Sequence, residues 1–332
     1  MTERFGNLVL LFAAFAAIGC AGSYALSRVL TRARAFQPYR EWGPEHKTKG
    51  DIPTGGGVVF LVGILIFWIY SLFNRGPTHS GDWGGGAIFA VSVICAGVLA
   101  AGLIGLADDL LKLKSRTSLG LPARYKFALQ LLLGAVTTYL LASEGSHLKT
   151  PLNEAFREPS FLLFSILGAI AFAAIVNGVN FTDGLDGLAA GSVTITLLGV
   201  MVLSGVFSMP GFMPLSAAGM GLVSGFLFLN LRPARIFMGD TGSYALGALV
   251  ALILTGSGLL LFSALLGVVY LLEMISVILQ VSGFRLYGKR LFLMSPLHHH
   301  FEKKGYSEDT IVAGFWMLQA AGTFAAVIAA RP

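Results

Sequence analysis

The chain has 332 residues, of which 55% are hydrophobic and 12% charged, about half the roughly 25% charged content of a soluble domain. Apolar runs of about 20 residues recur along it, which excludes a soluble fold and predicts transmembrane helices; a β-barrel would show short alternating segments instead. The net charge of +6 suits a membrane-facing surface that holds anionic headgroups or nucleotides, and nucleic acid is not an expected partner.

Ten candidate spans follow in chain order: 8–30, 55–73, 87–106, 125–142, 161–179, 188–207, 215–229, 243–254, 259–281 and 311–330. The first lacks a basic leader with a cleavage site after it, so it reads as a retained span. The eighth is short. Merging it with the ninth across Thr255-Gly256-Ser257-Gly258 would leave nine spans and move the C-terminus to the other side. The expected fold is an all-α polytopic membrane protein of about ten transmembrane helices, forming a single domain over residues 1–332. Cys20 and Cys95 both lie in apolar runs and read as core residues rather than a disulfide.

Lysine and arginine set the orientation. Most of the 23 fall after spans one, three, seven and nine: Arg28, Arg32, Arg34, Arg40, Lys47 and Lys49; Lys112, Lys114, Arg116, Arg124 and Lys126; Arg232 and Arg235; Arg285, Lys289, Arg290, Lys303 and Lys304. Arg4, Arg75, Lys149, Arg157 and Arg331 are spread over the other side and the termini. The basic connections, and the uncharged one after span five, are therefore expected in the cytoplasm, with both termini outside.

The polar chemistry collects in those same connections. Asp108-Asp109 ends the third span, where a helix dipole disfavours acids, so the pair needs a reason: a solvated loop beside Lys112 and Lys114, or a magnesium or phosphate site with one carboxylate as base or metal ligand. In the connection after span five, Asp183 and Asp186 are three apart and share a face if that stretch is helical. Pro233 ends the seventh span, and Gly239 to Ser243 opens the eighth, whose N-terminus offers free amides to an anion; Asp240 reads either as part of such a site or as a plain N-cap. His298, His299 and His300 are consecutive, so they point in different directions and rarely share one ion; contacts to phosphate and acid–base work fit better than zinc. Glu273 lies inside span nine, where function and pairing with a neighbouring helix are equal readings. The near-P-loop from Gly283 to Arg290 lacks both the Ser/Thr and a preceding strand. Hard carboxylate ligands beside a phosphorylated substrate make magnesium the expected ion.

These motifs together carry a resemblance. Pro53-Thr54-Gly55-Gly56-Gly57, Asp108-Asp109-Leu110-Leu111-Lys112, Asn180 to Ala189, Phe237 to Ser243 and Pro296 to Gly305 resemble the polyprenyl-phosphate N-acetylhexosamine-1-phosphate transferases. The triple histidine followed by Phe-Glu-Lys-Lys-Gly favours the phospho-N-acetylmuramoyl-pentapeptide transferase branch over the N-acetylglucosamine branch. The resemblance implies a cytoplasmic active-site cleft and magnesium-dependent transfer from UDP-MurNAc-pentapeptide to undecaprenyl phosphate. The products would be lipid I and UMP. It further implies a bacterial inner membrane, contact with membrane lipids and a homodimer. By the same resemblance, Asp240 is the metal ligand, and Asp108 and Asp109 serve catalysis or lipid-phosphate activation. Lys49, Thr54, Asn180, Asp183, Asp186, Asn230 and Phe237 line the nucleoside and sugar-phosphate pocket, with Lys112 also on substrate. His298, His299 and His300 assist at the cleft. Two departures are Gly55, where the family usually has methionine, and Gly314, where a basic residue often precedes Phe-Trp. A transporter is the competing class; its site would lie mid-membrane on broken helices, whereas these aspartates lie at helix ends.

Overall fold

The computed structural model describes residues 2–36, 52–73, 85–115, 117, 120–143, 161–207, 209 and 211–330. Lys49 lies outside them. Among the described residues there is no strand; the one β-bridge joins Phe36 and Pro53. Ten long helices follow one another: α1 Thr2–Arg32, α2 Val58–Phe73, α3 Gly85–Ser115, α4 Ala123–Ser143, α5 Phe161–Thr182, α6 Leu188–Val206, α7 Phe212–Asn230, α8 Gly239–Gly256, then, after a short α9 (Ser263–Leu266), α10 Val268–Tyr287 and, after a one-turn-plus α11 (Leu297–Lys303), α12 Glu308–Ala329. Eight of them are long and apolar enough to cross a membrane, and α2 is a shorter apolar helix. This is a multi-pass, all-helical membrane protein.

The remaining long helix, α8, owes its weak apolar signal to its surroundings. It packs against α2, α3, α4, α5 and α6, and every residue from Thr241 to Gly256 is buried. A helix enclosed by protein touches no lipid, so it can open on Gly-Asp-Thr-Gly-Ser without cost to its insertion in the bundle. The outer helices carry the opposite pattern: Leu132, Tyr139, Leu163, Ile170, Ile278 and Leu279 are exposed apolar side chains, as expected of a lipid-facing surface. The closest helix contact, α1 on α7, is made by small residues. A Cβ on Gly225 would stand 2.2 Å from the Ala16 carbonyl oxygen, and one on Gly221 would stand 2.2 Å from that of Phe12.

The break at Thr255–Gly258 is real. Helix α8 stops at Gly256, Gly258 takes φ +69°, and a 3-10 turn (Leu260–Phe262) and α9 precede α10. The expected ninth span, 259–281, is therefore shifted: its continuous helix starts at Val268. Side chains recover the backbone groups that the break frees. Gln319 Nε2 donates to the Leu266 carbonyl (2.6 Å), Thr196 Oγ1 donates to the same oxygen (2.8 Å), and Gln319 Oε1 accepts from Val269 N (3.3 Å).

Two further boundaries differ from expectation. Helix α3 runs nine residues past the apolar stretch ending at 106, to Ser115, so Asp108 and Asp109 are inside a helix rather than at its end. Asp108 and Lys112 then form an i,i+4 ion pair on one face. The histidines stand on a helix, α11, and not in a loop. Because successive long helices alternate in direction, the connections α1–α2, α3–α4, α5–α6, α7–α8 and α10–α12 meet at one end of the bundle. Glycines allow close approaches here, as where a Cβ on Gly57 would lie 2.0 Å from Gly242 N. A Cβ on Gly105 of α3 would lie 2.2 Å from the Asp240 carbonyl oxygen, and Gly239, at the start of α8, takes φ +68°.

Candidate active site

At that end, α3, α4 and α8 bring two acids and two lysines together. Lys112 Nζ lies 2.6 Å from Asp108 Oδ2 and 3.0 Å from Asp240 Oδ2. Lys126, on the first turn of α4, reaches Asp108 Oδ1 and Asp240 Oδ2 at 3.3 Å each. Asp108 Oδ1 also accepts from Leu121 N at 2.6 Å. Asp240 Oδ1 accepts from Asn180 Nδ2 at 3.2 Å, and the same amide donates to Ser243 Oγ at 2.8 Å. The side chain of Asp108 is fully buried, whereas that of Asp240 keeps 13% of its surface exposed. Of the two carboxylates, Asp240 is the one that an incoming ligand can reach.

Asp109 does something different. Its Oδ1 accepts from Asp240 N (3.1 Å), and its Oδ2 accepts from Thr241 N (2.9 Å) and Thr241 Oγ1 (2.7 Å). The N-cap position of α8 is Met238, which supplies no side-chain acceptor. Asp109 thus caps α8 from another helix, satisfying amides that would otherwise be orphaned and placing its charge at the positive end of the dipole. This answers the puzzle of two adjacent acids: one faces the lysines and the other holds the helix that carries Asp240.

One oxygen each from Asp108, Asp109 and Asp240 lies within 4.8 Å of the others. This is a hard-oxygen donor set able to hold a divalent cation, of the kind that suits magnesium or calcium rather than zinc.

The connection 183–187 forms the second half of the site. It is a chain of turns, so Asp183 and Asp186 do not share a helical face. Asp186 is buried and its Oδ2 accepts from Ala234 N at 3.0 Å; Asp183 is half-buried. Asn230 is also buried and spans two loops, accepting from Gly187 N at 3.1 Å and donating to the Ile236 carbonyl at 3.0 Å. Glu308, opening α12, accepts from Asp186 N at 2.8 Å and lies 3.5 Å from Arg232 Nε. Thr54 is buried beside Gly239 and Asp109, where a Cβ on Gly239 would meet both. The Phe237 ring is half-buried while its backbone pairs with Pro53 and Gly56. Gly55 takes φ +99°, a conformation that favours the glycine found here over a larger residue. Gly314 has open space where a Cβ would project.

The histidines take three different partners, and the rings of His298 and His299 pack with their centroids 4.1 Å apart. His298 is buried against Glu273, its Nδ1 3.1 Å from Glu273 Oε1. His299 pairs through Nδ1 with Glu302. His300 Nδ1 accepts from Leu293 N at 3.1 Å, which leaves its proton on Nε2. Burial pushes the His299 imidazole below its ordinary range, more than the Glu302 hydrogen bond raises it.

Sequence reasoning passed over Lys126, Thr241, Ser243 and Glu308 as site residues. Lys126 carried a legible signal, since a lysine in the first turn of a helix opposes the dipole just as acids late in a helix do. Thr241, Ser243 and Glu308 carried none apart from their partners.

Fold and site together define a polytopic membrane enzyme with a lysine-bridged acidic centre at one end of its helix bundle. Residues 91–258 match the family described as glycosyl transferase family 4. A phospho-N-acetylmuramoyl-pentapeptide-transferase of Caldanaerobacter subterraneus is 40% identical over 304 residues, covering 89% of this chain and 90% of its own length. The protein of the same name from Heliobacterium modesticaldum is 36% identical over 330 residues, 98% of each chain. That from Streptomyces avermitilis is 37% identical, with 90% of each covered. The chain belongs to glycosyl transferase family 4 and, within it, to the phospho-N-acetylmuramoyl-pentapeptide transferases, which makes it a phosphosugar transferase.

Proposed function

We propose that this enzyme transfers phospho-MurNAc-pentapeptide from UDP-MurNAc-pentapeptide to undecaprenyl phosphate, forming lipid I and UMP for peptidoglycan synthesis, with magnesium as its ion. The observation that carries this reading is the Asp108–Lys112–Asp240–Lys126 cluster, in which each of two ammonium groups stands within 3.3 Å of both carboxylates. Such a group matches a diphosphate and its counter-ion: carboxylates for the cation, ammonium groups for the phosphate oxygens. The lipid phosphate oxygen forms a bond to the β-phosphorus while the bond from that phosphorus to the UMP oxygen breaks, and UMP leaves.

A bound magnesium would neutralise charge on the diphosphate during that displacement. Asp240 would hold it, being the reachable carboxylate. Asp108, buried beneath the two lysines, acts through them by orienting Lys112 and Lys126 toward the phosphates. Asp109 holds the first turn of α8, and so the backbone of Asp240. Asn180, Asp183, Thr54 and the Phe237 ring border the same end and are assigned to the nucleoside and sugar-phosphate moiety, with Lys49 as an added phosphate contact. Asp186 and Asn230 shape that pocket through the loops they tie together. His298, His299 and His300 assist from α11. The basic residues Arg28, Arg32, Lys114, Arg124, Arg235 and Lys304 lie in the connections at this end or in the helix turns that flank them, which supports placing it in the cytoplasm of a bacterium, at the inner membrane.

The deciding experiment offers purified enzyme undecaprenyl phosphate with UDP-MurNAc-pentapeptide or with UDP-N-acetylglucosamine, with and without magnesium. Lipid I and UMP from the first nucleotide alone, and only with the ion, is the expected result. Product from the second alone would move the enzyme to the sister branch.

A further inference from the structure

Glu273 is a fully buried carboxylate in the second turn of an apolar helix, α10, and no step above uses it. An intramembrane acid is costly unless strongly paired. Its partners are all donors from one short segment: Leu297 N gives a hydrogen bond to Oε2 at 2.6 Å, His298 N to Oε1 at 3.2 Å, and His298 Nδ1 lies 3.1 Å from Oε1. The two backbone amides can only donate. The carboxylate is therefore the acceptor throughout, and the His298 Nδ1 must carry a hydrogen to join it. That choice decides the other ring nitrogen. His298 Nε2 is buried with no hydrogen-bond partner, and in the neutral ring it is a bare acceptor. It faces Gly184, where a Cβ would stand 2.3 Å from it. Gly184 belongs to the 183–187 connection, which begins three residues after Asn180, the residue that touches Asp240.

We propose that Glu273 is a positioning residue for the transfer reaction. It fixes His298 in the Nδ1–H tautomer and holds Nε2 as an open acceptor behind the Gly184 turn. A hydrogen-bond donor on the substrate, a hydroxyl or amide N–H of the sugar-peptide portion, completes that acceptor when the turn receives it. The orphaned nitrogen is the second half of the case: a buried acceptor without a partner costs free energy that a ligand donor recovers. The substrate class rests on the function proposed above; the tautomer assignment does not.

The test uses full-length enzyme in detergent, with Glu273→Gln, Glu273→Asp and Gly184→Ala. In Glu273→Gln one carboxylate oxygen becomes an NH2 that confronts a donor, so His298 loses its fixed tautomer. Nitrogen-15 NMR of labelled histidine should show a pyrrole-like Nδ1 and pyridine-like Nε2 for His298 in the wild type, and a mixed or inverted pattern in Glu273→Gln. Turnover should fall about 10- to 100-fold, the range seen when an orienting hydrogen bond to a functional histidine is removed. Manganese binding at Asp240 should be unchanged, and Glu273→Asp should recover part of the loss. Gly184→Ala should reduce kcat, since its Cβ would stand 2.3 Å from Nε2 and must displace the turn or the ring. A wild-type tautomer and wild-type kcat and KM in Glu273→Gln would overturn the proposal. So would a wild-type His298 whose proton sits on Nε2, a result readable even if Glu273→Gln fails to fold. If the wild type makes no lipid product from UDP-MurNAc-pentapeptide, the proposed function fails, and the nitrogen-15 comparison still decides the role of Glu273.

Discussion

The two halves of the site handle buried charge in opposite ways. Around Asp108 and Asp240 the acids are balanced by lysines, long side chains that can swing from a carboxylate to a phosphate. Around Glu273 the acid is balanced by backbone amides and one imidazole, which cannot leave without unfolding α11. The first arrangement suits exchange of partners during a reaction; the second suits holding a group still. Asp109 belongs with the second kind although it is the sequence neighbour of Asp108, because its partners are the amides of α8.

The comparison is most sharply broken at Asp240. Asp240→Ala should reduce lipid I formation by about 10²- to 10³-fold, the scale for loss of a preorganised electrostatic group, while size-exclusion chromatography shows a folded, monodisperse protein. Near-wild-type turnover would refute its assignment as the metal ligand. Lys126→Ala should follow with a smaller loss, on the order of 10- to 100-fold (about 1.4–2.8 kcal/mol), in kcat/KM for the nucleotide substrate, because Lys112 still bridges both acids.

Asp109→Ala should act on stability before chemistry. Three donors lose their acceptor, so melting in detergent should report a loss of about 1–3 kcal/mol, more than Asp108→Asn causes. Equal melting of the two variants would mean that the cap is not what Asp109 contributes.

The histidine half has its own pH signature. Burial holds the His299 pKa below the ordinary imidazole range, so the unfolded chain binds its proton first as pH falls. The stability associated with a neutral His299 is complete above the unfolded value, near pH 6.5, and is lost progressively as pH falls from there through its lowered folded value. His299→Asn should flatten that part of the acid branch of a stability–pH curve. The smallest effect belongs to Arg232–Asp309, a 3.1 Å pair with exposed partners; Asp309→Ala should change stability by no more than about 0.5 kcal/mol.

Most of the architecture was legible from the residues alone, because apolar runs and basic flanks are local properties. The ten long helices and the gathering of the acidic, amide and histidine segments at one end follow from them, whereas the break after α8 stood as one of two readings until the structure chose it. Where the reading missed, the missing information was a partner. Asp108-Asp109 looked like a helix end because apolarity stops at 106; in the fold Lys112 and Lys126 pair with Asp108 and the amides of α8 donate to Asp109, so α3 runs on through both acids. Asp183 and Asp186 looked equivalent by spacing, and the loop at Ala234 made them unequal.

Composition, run length and charge bias by themselves determined that this chain is a polytopic membrane protein with its polar loops at one face. Only the tertiary structure decided which carboxylate does which task. Asp109 meets Thr241 across 132 positions of sequence, and Glu273 meets His298 across 25. Those pairings depend on where helices cross in space, and a helix crossing leaves no periodic trace in either segment.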